Sequence, residues 1–228
     1  MRMLARLKYT LISLYALVML GRRAEDPEYK YISLIGNAQD NLAELARVSG
    51  KIGDPFRNPL LERMWQERYC SAHYDVDQLM ALSSATLGGA YARHMTRRGL
   101  RPDYYDAVEP RHRFHYLRLR VRQTHDIWHV LTGYDTDPLG ELGLQGFYFG
   151  QVTNGLSALL LAGGIFKCLF TGRYSDLEQY IDVFCEGYHK GRATHPLLDV
   201  QWEQLWSEPL DGLRQRFGIV TAGSRAPH

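Results

Sequence analysis

The chain has 228 residues, 45% of them hydrophobic, with 27 Lys and Arg against 25 Asp and Glu and a formal net charge of +2. That size and apolar content support a substantial core, and the near-neutral balance excludes a nucleic-acid surface built on bulk charge, so no nucleic-acid partner is expected. Three cysteines, Cys70, Cys168 and Cys185, an odd number without CxxC spacing, exclude a disulfide framework, fit a reducing compartment and read as small buried hydrophobes.

Met1–Arg23 predicts an amphipathic N-terminal helix, because Leu4, Leu7, Leu11, Leu14 and Val18 recur at helical spacing and no acidic residue precedes Glu25. Its apolar run is short for a bilayer span, and no small-residue cleavage site follows it. The expected packing is against the core or against a second subunit in a homodimer. The alternative is peripheral membrane contact, with Arg2, Arg6 and Lys8 near lipid head groups.

Asp26-Pro27 reads as the cap and first residue of a helix running to about Val48. Asn58-Pro59 starts another through about Tyr69, Tyr74–Leu82 a short one, and Ser83 or Ser84 caps the next, which ends at Arg97-Arg98-Gly99. Gly88-Gly89-Ala90 leaves that helix small on one side, for close helix contact or an apolar ligand. After a loop at Pro102–Val108, a long helix covers Pro110–Thr132. Its early part carries Arg111, His112, Arg113, His115, Arg118, Arg120 and Arg122, which read as a solvated or dimer-facing surface or as anion-recognising forks.

Gly133 ends that helix in a left-handed conformation, and Asp137-Pro138 starts another to Phe170. Its stretch GLSALLLAGGIFKCLF is nearly all apolar, which predicts a buried helix or the wall of a channel for a long hydrocarbon chain. Ser175 caps a helix from Asp176 to His189, shorter helices fall near Val200–Trp206 and Pro209–Phe217, and Thr221–His228 reads as a loose tail. Without period-two alternation, hairpin turns or repeats, residues 1–228 read as a single all-α domain of about eight to ten helices with a lipid-accommodating cleft. Glycine-rich phosphate loops, nucleophile elbows and DDxxD clusters are absent, which excludes the enzyme classes built on them.

The chemistry concentrates in QTHDIWHVLTGYDTDPLGE, residues Gln123–Glu141. His125 and His129 stand one helical turn apart on one face, close enough for both imidazoles to hold one ion. Asp126 is rotated by roughly 100° around the helix and is either a further ligand or the group that orients a bound water or substrate proton. Glu141 falls in the first turn of the following helix, where the dipole favours a carboxylate, and a hairpin of the two helices brings it back over the imidazoles. Spacing alone leaves open both a metal site and two half-buried imidazoles that bind nothing.

The pattern HDxxHx11E at His125, Asp126, His129 and Glu141 resembles the signature of the Coq4 family of ubiquinone-biosynthesis proteins. The C-terminal stretch Gly191–Ile219 is similar to that family at Gly191-Arg192, Leu197, Trp202-Glu203 and Arg216-Phe217-Gly218-Ile219, and YISLIGNAQDNLAEL looks related. The resemblance implies a divalent metal at the four motif residues, zinc foremost, with iron, manganese or magnesium as alternatives. It implies a polyprenyl lipid or prenylated quinone precursor as ligand, and decarboxylation at ring carbon C1, coupled to its oxidation, with Asp126 in a catalytic role. The alternative is a non-catalytic organiser that gathers quinone-biosynthesis enzymes at a membrane. In a bacterium this places the chain in the cytoplasm or on the cytoplasmic membrane face, and in a eukaryote on the matrix face of the mitochondrial inner membrane.

Overall fold

The computed structural model describes residues 2–22, 29–48, 54–70, 74–100, 110 and 112–222, which form ten α-helices and no strand. They are α1 (Arg2–Arg22), α2 (Tyr29–Val48), α3 (Pro59–Gln66), α4 (Val76–Met80), α5 (Leu87–Arg98), α6 (Arg113–Thr132), α7 (Pro138–Gln151), α8 (Gly155–Thr171), α9 (Tyr174–Ala193) and α10 (Leu210–Phe217). The core of the domain gathers Trp128, Trp202, Tyr91, Tyr116, Phe147 and Leu131, all fully buried. Around it α5, α6 and α7 form the frame of the site, and α1 and α2 pair at the periphery.

The caps explain where expected and observed boundaries part. Asn58 accepts from the Leu60 and Leu61 amides as foreseen, but α3 stops at Gln66 rather than near Tyr69. Thr86, not Ser83 or Ser84, caps α5 by accepting from the Gly89 amide. His112 caps α6, which therefore starts at Arg113 and not at Pro110. The single helix expected over Pro138–Phe170 is two helices: Asn154 turns its side chain onto the Ser157 amide and starts α8 afresh. Ser175 caps nothing; α9 begins at Tyr174 and extends to Ala193. The helix expected at Val200–Trp206 is one 3-10 turn, Trp202–Gln204. The expected Asp26-Pro27 cap, the loop at 102–108 and the tail at 223–228 lie outside the described residues.

The tightest contact in the fold joins α7 to α9 through glycine. Gly143, Gly146 and Gly150 on α7 meet Gly187 and Gly191 on α9, so that the backbones touch where side chains would otherwise stand. A Cβ at Gly187 would overlap the Gly143 carbonyl oxygen, one at Gly146 the Phe184 carbonyl oxygen, and one at Gly150 would lie 2.5 Å from that of Tyr188. Backbone cannot swing aside as a side chain can. Gly187→Ala is expected to cost about 2–3 kcal/mol, a fall in Tm of about 4–12 °C for a chain of this size, measured by thermal unfolding. An unchanged Tm would show that the helices can separate freely.

Three expectations about burial are corrected. Leu4, Leu7, Leu11, Leu14 and Val18 on α1 are all at least half exposed, Leu4 at 68%, so the leucine stripe does not pack on this chain's core. The packed face of α1 is the opposite one, Ser13, Ala16 and Leu17, against Tyr31 and Ile35 of α2 and Gly163 of α8. The most apolar helix, α8, is not a buried helix either: only Ser157 and Cys168 are buried, while Phe166, Leu169 and Phe170 stand exposed. Of the three cysteines only Cys168 is a buried hydrophobe; Cys70 and Cys185 are exposed.

Candidate metal centre

The centre is built on the last two turns of α6, and the chain holds that end of the helix from several sides. The Gly133 amide caps it at φ 75°, donating to the His129 carbonyl. Arg214 of α10 donates to the Val130 and Leu131 carbonyls at 2.9 and 3.0 Å, and the Ala222 amide donates to Thr132 at 2.7 Å. These contacts satisfy carbonyls that a helix terminus leaves unpaired. They correct the expected loose tail at its start, since Ala222 is anchored there and the Thr221 carbonyl accepts from Lys190 at 2.6 Å.

The middle of α6 is anchored by charge. Arg120 is fully buried and donates to Glu203 at 3.0 Å and to the Gln123 side chain at 3.0 Å, and Glu203 accepts from the Tyr69 hydroxyl at 3.1 Å. Arg120 is thus a structural strut rather than part of a solvated face. Arg118 is paired with Asp40 of α2 at 2.5 Å, where burial pushes the Asp40 carboxyl up to about 7 in spite of Arg118 and Arg122.

At the C-terminal end of α6, three ligand-type residues converge. Asp137 caps α7 through the Leu139 and Gly140 amides, Pro138 takes the first position, and Glu141 in that first turn faces the α6 imidazoles. Its Oε1 lies 3.2 Å from His129 Nε2 and its Oε2 3.5 Å from His125 Nε2. Candidate ligand atoms of His125, His129 and Glu141 all lie within 4.8 Å of one another. Asp126 stands on the other side of the His125 ring, with Oδ1 3.6 Å from Nδ1. His129 Nδ1 lies 2.8 Å from the Tyr134 carbonyl, and a carbonyl only accepts, so this nitrogen carries the proton. Each imidazole therefore has an oxygen acceptor against Nδ1 and turns Nε2 toward Glu141. His129 Nε2 is buried and makes no hydrogen bond of good geometry among the described residues.

Aromatic rings close the surroundings. Tyr148 lies over His125 with ring centroids 6.1 Å apart and stacks on Trp128 at 4.5 Å. On the α5 side, His94 lies nearly parallel to His129 at 5.8 Å. Burial, reinforced by the neighbouring His129, holds the His94 pKa below its ordinary value. The sequence carries no local signal for His94, which sits 31 residues before His125 on another helix.

Burial opposes charge on His125, but the Asp126 and Glu141 carboxylates overcome it and raise its pKa to about 10. Burial likewise opposes charge on Glu141 and Asp126, and the surrounding imidazoles hold both carboxyls below the usual range. Without an ion, the centre at neutral pH therefore stores a proton on His125 between two carboxylates. A cation ligated by His125 must displace that proton. Calorimetry of metal binding at pH 7.5, in buffers of different ionisation enthalpy, is expected to show release of about one proton per ion, with affinity rising about tenfold per pH unit below pH 10. Binding without proton release would mean that His125 is not a ligand.

The donor set fits a divalent ion: two imidazole nitrogens and a carboxylate suit zinc, iron or manganese and leave coordination positions open. The sequence profile of the family described as "Coenzyme Q (ubiquinone) biosynthesis protein Coq4" matches residues 57–223, a span that includes all four motif residues. The chain belongs to the Coq4 family. The Coq4 protein of Scheffersomyces stipitis, named "Ubiquinone biosynthesis protein COQ4, mitochondrial", is 25% identical over 207 residues, covering 88% of this chain and 62% of that protein. The rat COQ4 homolog, also named mitochondrial, is 28% identical over 151 residues, 64% of this chain and 54% of its own length. The chain thus spans between about half and two thirds of these Coq4 relatives. A crystal structure from Nostoc punctiforme, described as that of a "Putative ubiquinone biosynthesis protein", superposes with a TM-score of 0.76 at 28% identity, covering 92% of this chain and 97% of that one.

Proposed function

We propose that this Coq4 chain holds one divalent ion through His125, His129 and Glu141 and acts on the head group of a polyprenylated quinone precursor in ubiquinone biosynthesis, removing the ring carboxyl at C1. The observation that carries this reading is the paired orientation of the imidazoles: both Nδ1 atoms lie against oxygen acceptors while both Nε2 atoms face one carboxylate. An acceptor behind a ligating imidazole fixes its tautomer and makes its other nitrogen more basic, and such partners are typical of metal-bound histidine. The ion, when bound, supplies Lewis acidity that stabilises charge developing on the ring and on its oxygens.

In that reaction the bond from C1 to the carboxylate breaks, carbon dioxide leaves, and the electron pair remaining on C1 takes up a proton. His129 is fixed by the Tyr134 carbonyl and by complete burial, and Glu141 by the first turn of α7, so neither needs to reorganise. Asp126 Oδ1 lies 3.6 Å from His125 Nδ1, where its charge favours a proton on that nitrogen and so the tautomer that offers Nε2. Trp128 and Tyr148 exclude water from one side.

The exposed apolar faces of α1 and α8 favour a membrane surface as the place of action, since a polyprenylated substrate resides in lipid. No described helix is long and apolar enough to cross a bilayer. The same surface supports a second reading, a non-catalytic organiser that binds prenyl lipid and gathers quinone-biosynthesis enzymes there. Incubating metal-loaded chain with a prenylated 4-hydroxybenzoate and measuring carbon dioxide release, beside His125→Gln, separates the two. Turnover by the wild type alone supports the enzyme. An ion that stays bound without any turnover supports the organiser.

A further inference from the structure

His94 of α5 is drawn on by neither the sequence motif nor the reaction above. Its Nε2 is buried and makes no hydrogen bond among the described residues. Its ring lies against that of His129, 5.8 Å between centroids and 19° between planes. It is outside the three residues whose ligand atoms converge within 4.8 Å. Tyr91, one turn earlier on α5, already has a partner in the Tyr74 hydroxyl at 3.3 Å.

Native proteins satisfy nearly all buried polar atoms, and an imidazole nitrogen left without a partner beside a binding site is where a ligand's own hydrogen-bonding atom belongs. A neutral imidazole offers one donor and one acceptor, and both match an oxygen of a hydroxylated aromatic acid. We propose that His94 is a recognition residue of the loaded centre, and that its Nε2 hydrogen-bonds an oxygen of the aromatic head group bound beside the ion. This rests on the metal reading and extends the site from α6 and α7 onto α5. Stacking on His129 gives the ring the fixed pose that such recognition needs.

The test uses the full chain loaded with cobalt(II), whose absorption reports its ligands, titrated with 4-hydroxybenzoate. His94→Phe keeps a flat ring against His129 and removes both nitrogens; His94→Asn keeps a donor and an acceptor. Cobalt affinity is expected to stay within about threefold of wild type in both variants, while His94→Phe weakens 4-hydroxybenzoate by about tenfold or more and His94→Asn by less. The proposal is overturned if His94→Phe binds the acid as wild type does, in which case a water satisfies Nε2. A cobalt-loaded wild type that gives no response to the acid also overturns it. So does a tenfold loss of cobalt affinity in His94→Phe, which would make His94 a prop for His129. Failure of the wild type to take up cobalt would remove the metal reading and this one together, whereas the other outcomes leave the metal reading standing.

Discussion

His125→Gln and Glu141→Ala are each expected to abolish stoichiometric metal binding. Purified wild-type chain should carry about one divalent ion, and each variant should lose affinity by more than the 10–100-fold that follows loss of a group merely supporting a ligand. Asp126→Asn should fall within that smaller range, because Asn keeps an oxygen near His125 Nδ1, 3.6 Å away in the wild type, but carries no charge to make the ring more basic. The ordering is the informative part. If Asp126 were itself a direct ligand, Asp126→Asn would match Glu141→Ala. His125 and Glu141 are only partly buried, 26% and 39% exposed at the side chain, so these substitutions leave the core intact. His129 is fully buried and holds the Tyr134 carbonyl, so His129→Ala would mix metal loss with local unfolding. Elemental analysis and competition with a chromogenic chelator read the result. Equal metal content in all three variants and wild type would end the account of the centre.

Much of this arrangement was legible in the sequence because its causes are local. The spacing of His125 and His129 is fixed by helix geometry, and Asp137-Pro138 puts Glu141 in the first turn of α7 whatever the rest of the chain does. The positive φ at Gly99, Gly133 and Gly218 follows from residue type for the same reason. What the sequence hid depends on contacts between distant segments. The side of α6 that carries Arg120 looked solvated because nothing local reveals that Glu203, 83 positions on, neutralises it in the core. The clamp of Arg214 on the end of α6 is equally remote. The glycines of α7 and α9 do form a visible pattern, Gly143, Gly146 and Gly150 with Gly187 and Gly191, but only a partner helix gives it meaning. Continuous apolarity hid the break at Asn154, since hydropathy does not distinguish one long helix from two when a capping side chain intervenes.

A chain carrying Leu7→Glu and Leu11→Glu is expected to stop binding anionic vesicles that the wild type binds. Both leucines lie on the outward face of α1, 55% and 56% exposed, so the change is made where the fold has little to lose. The described α1 has no acidic residue, and Lys8 stands exposed on it. Phe166 and Phe170, stacked at 6.2 Å on the neighbouring α8, add aromatic surface of the kind that enters an interface. Burying one leucine fully contributes about 1.5–3 kcal/mol, so even partial insertion of two makes the substitution worth about 100-fold or more in partitioning. Flotation with phosphatidylglycerol-containing vesicles measures it, and phosphatidylcholine alone should bind less, because the basic residues then lose their partners. High salt should weaken binding without abolishing it, since the apolar contribution is not screened. A homodimer competes for the same face and predicts a different pattern: a wild-type dimer by light scattering, a monomeric double variant, and no flotation of either. That pattern would assign the leucine stripe to a second copy of the chain and leave the membrane reading without support.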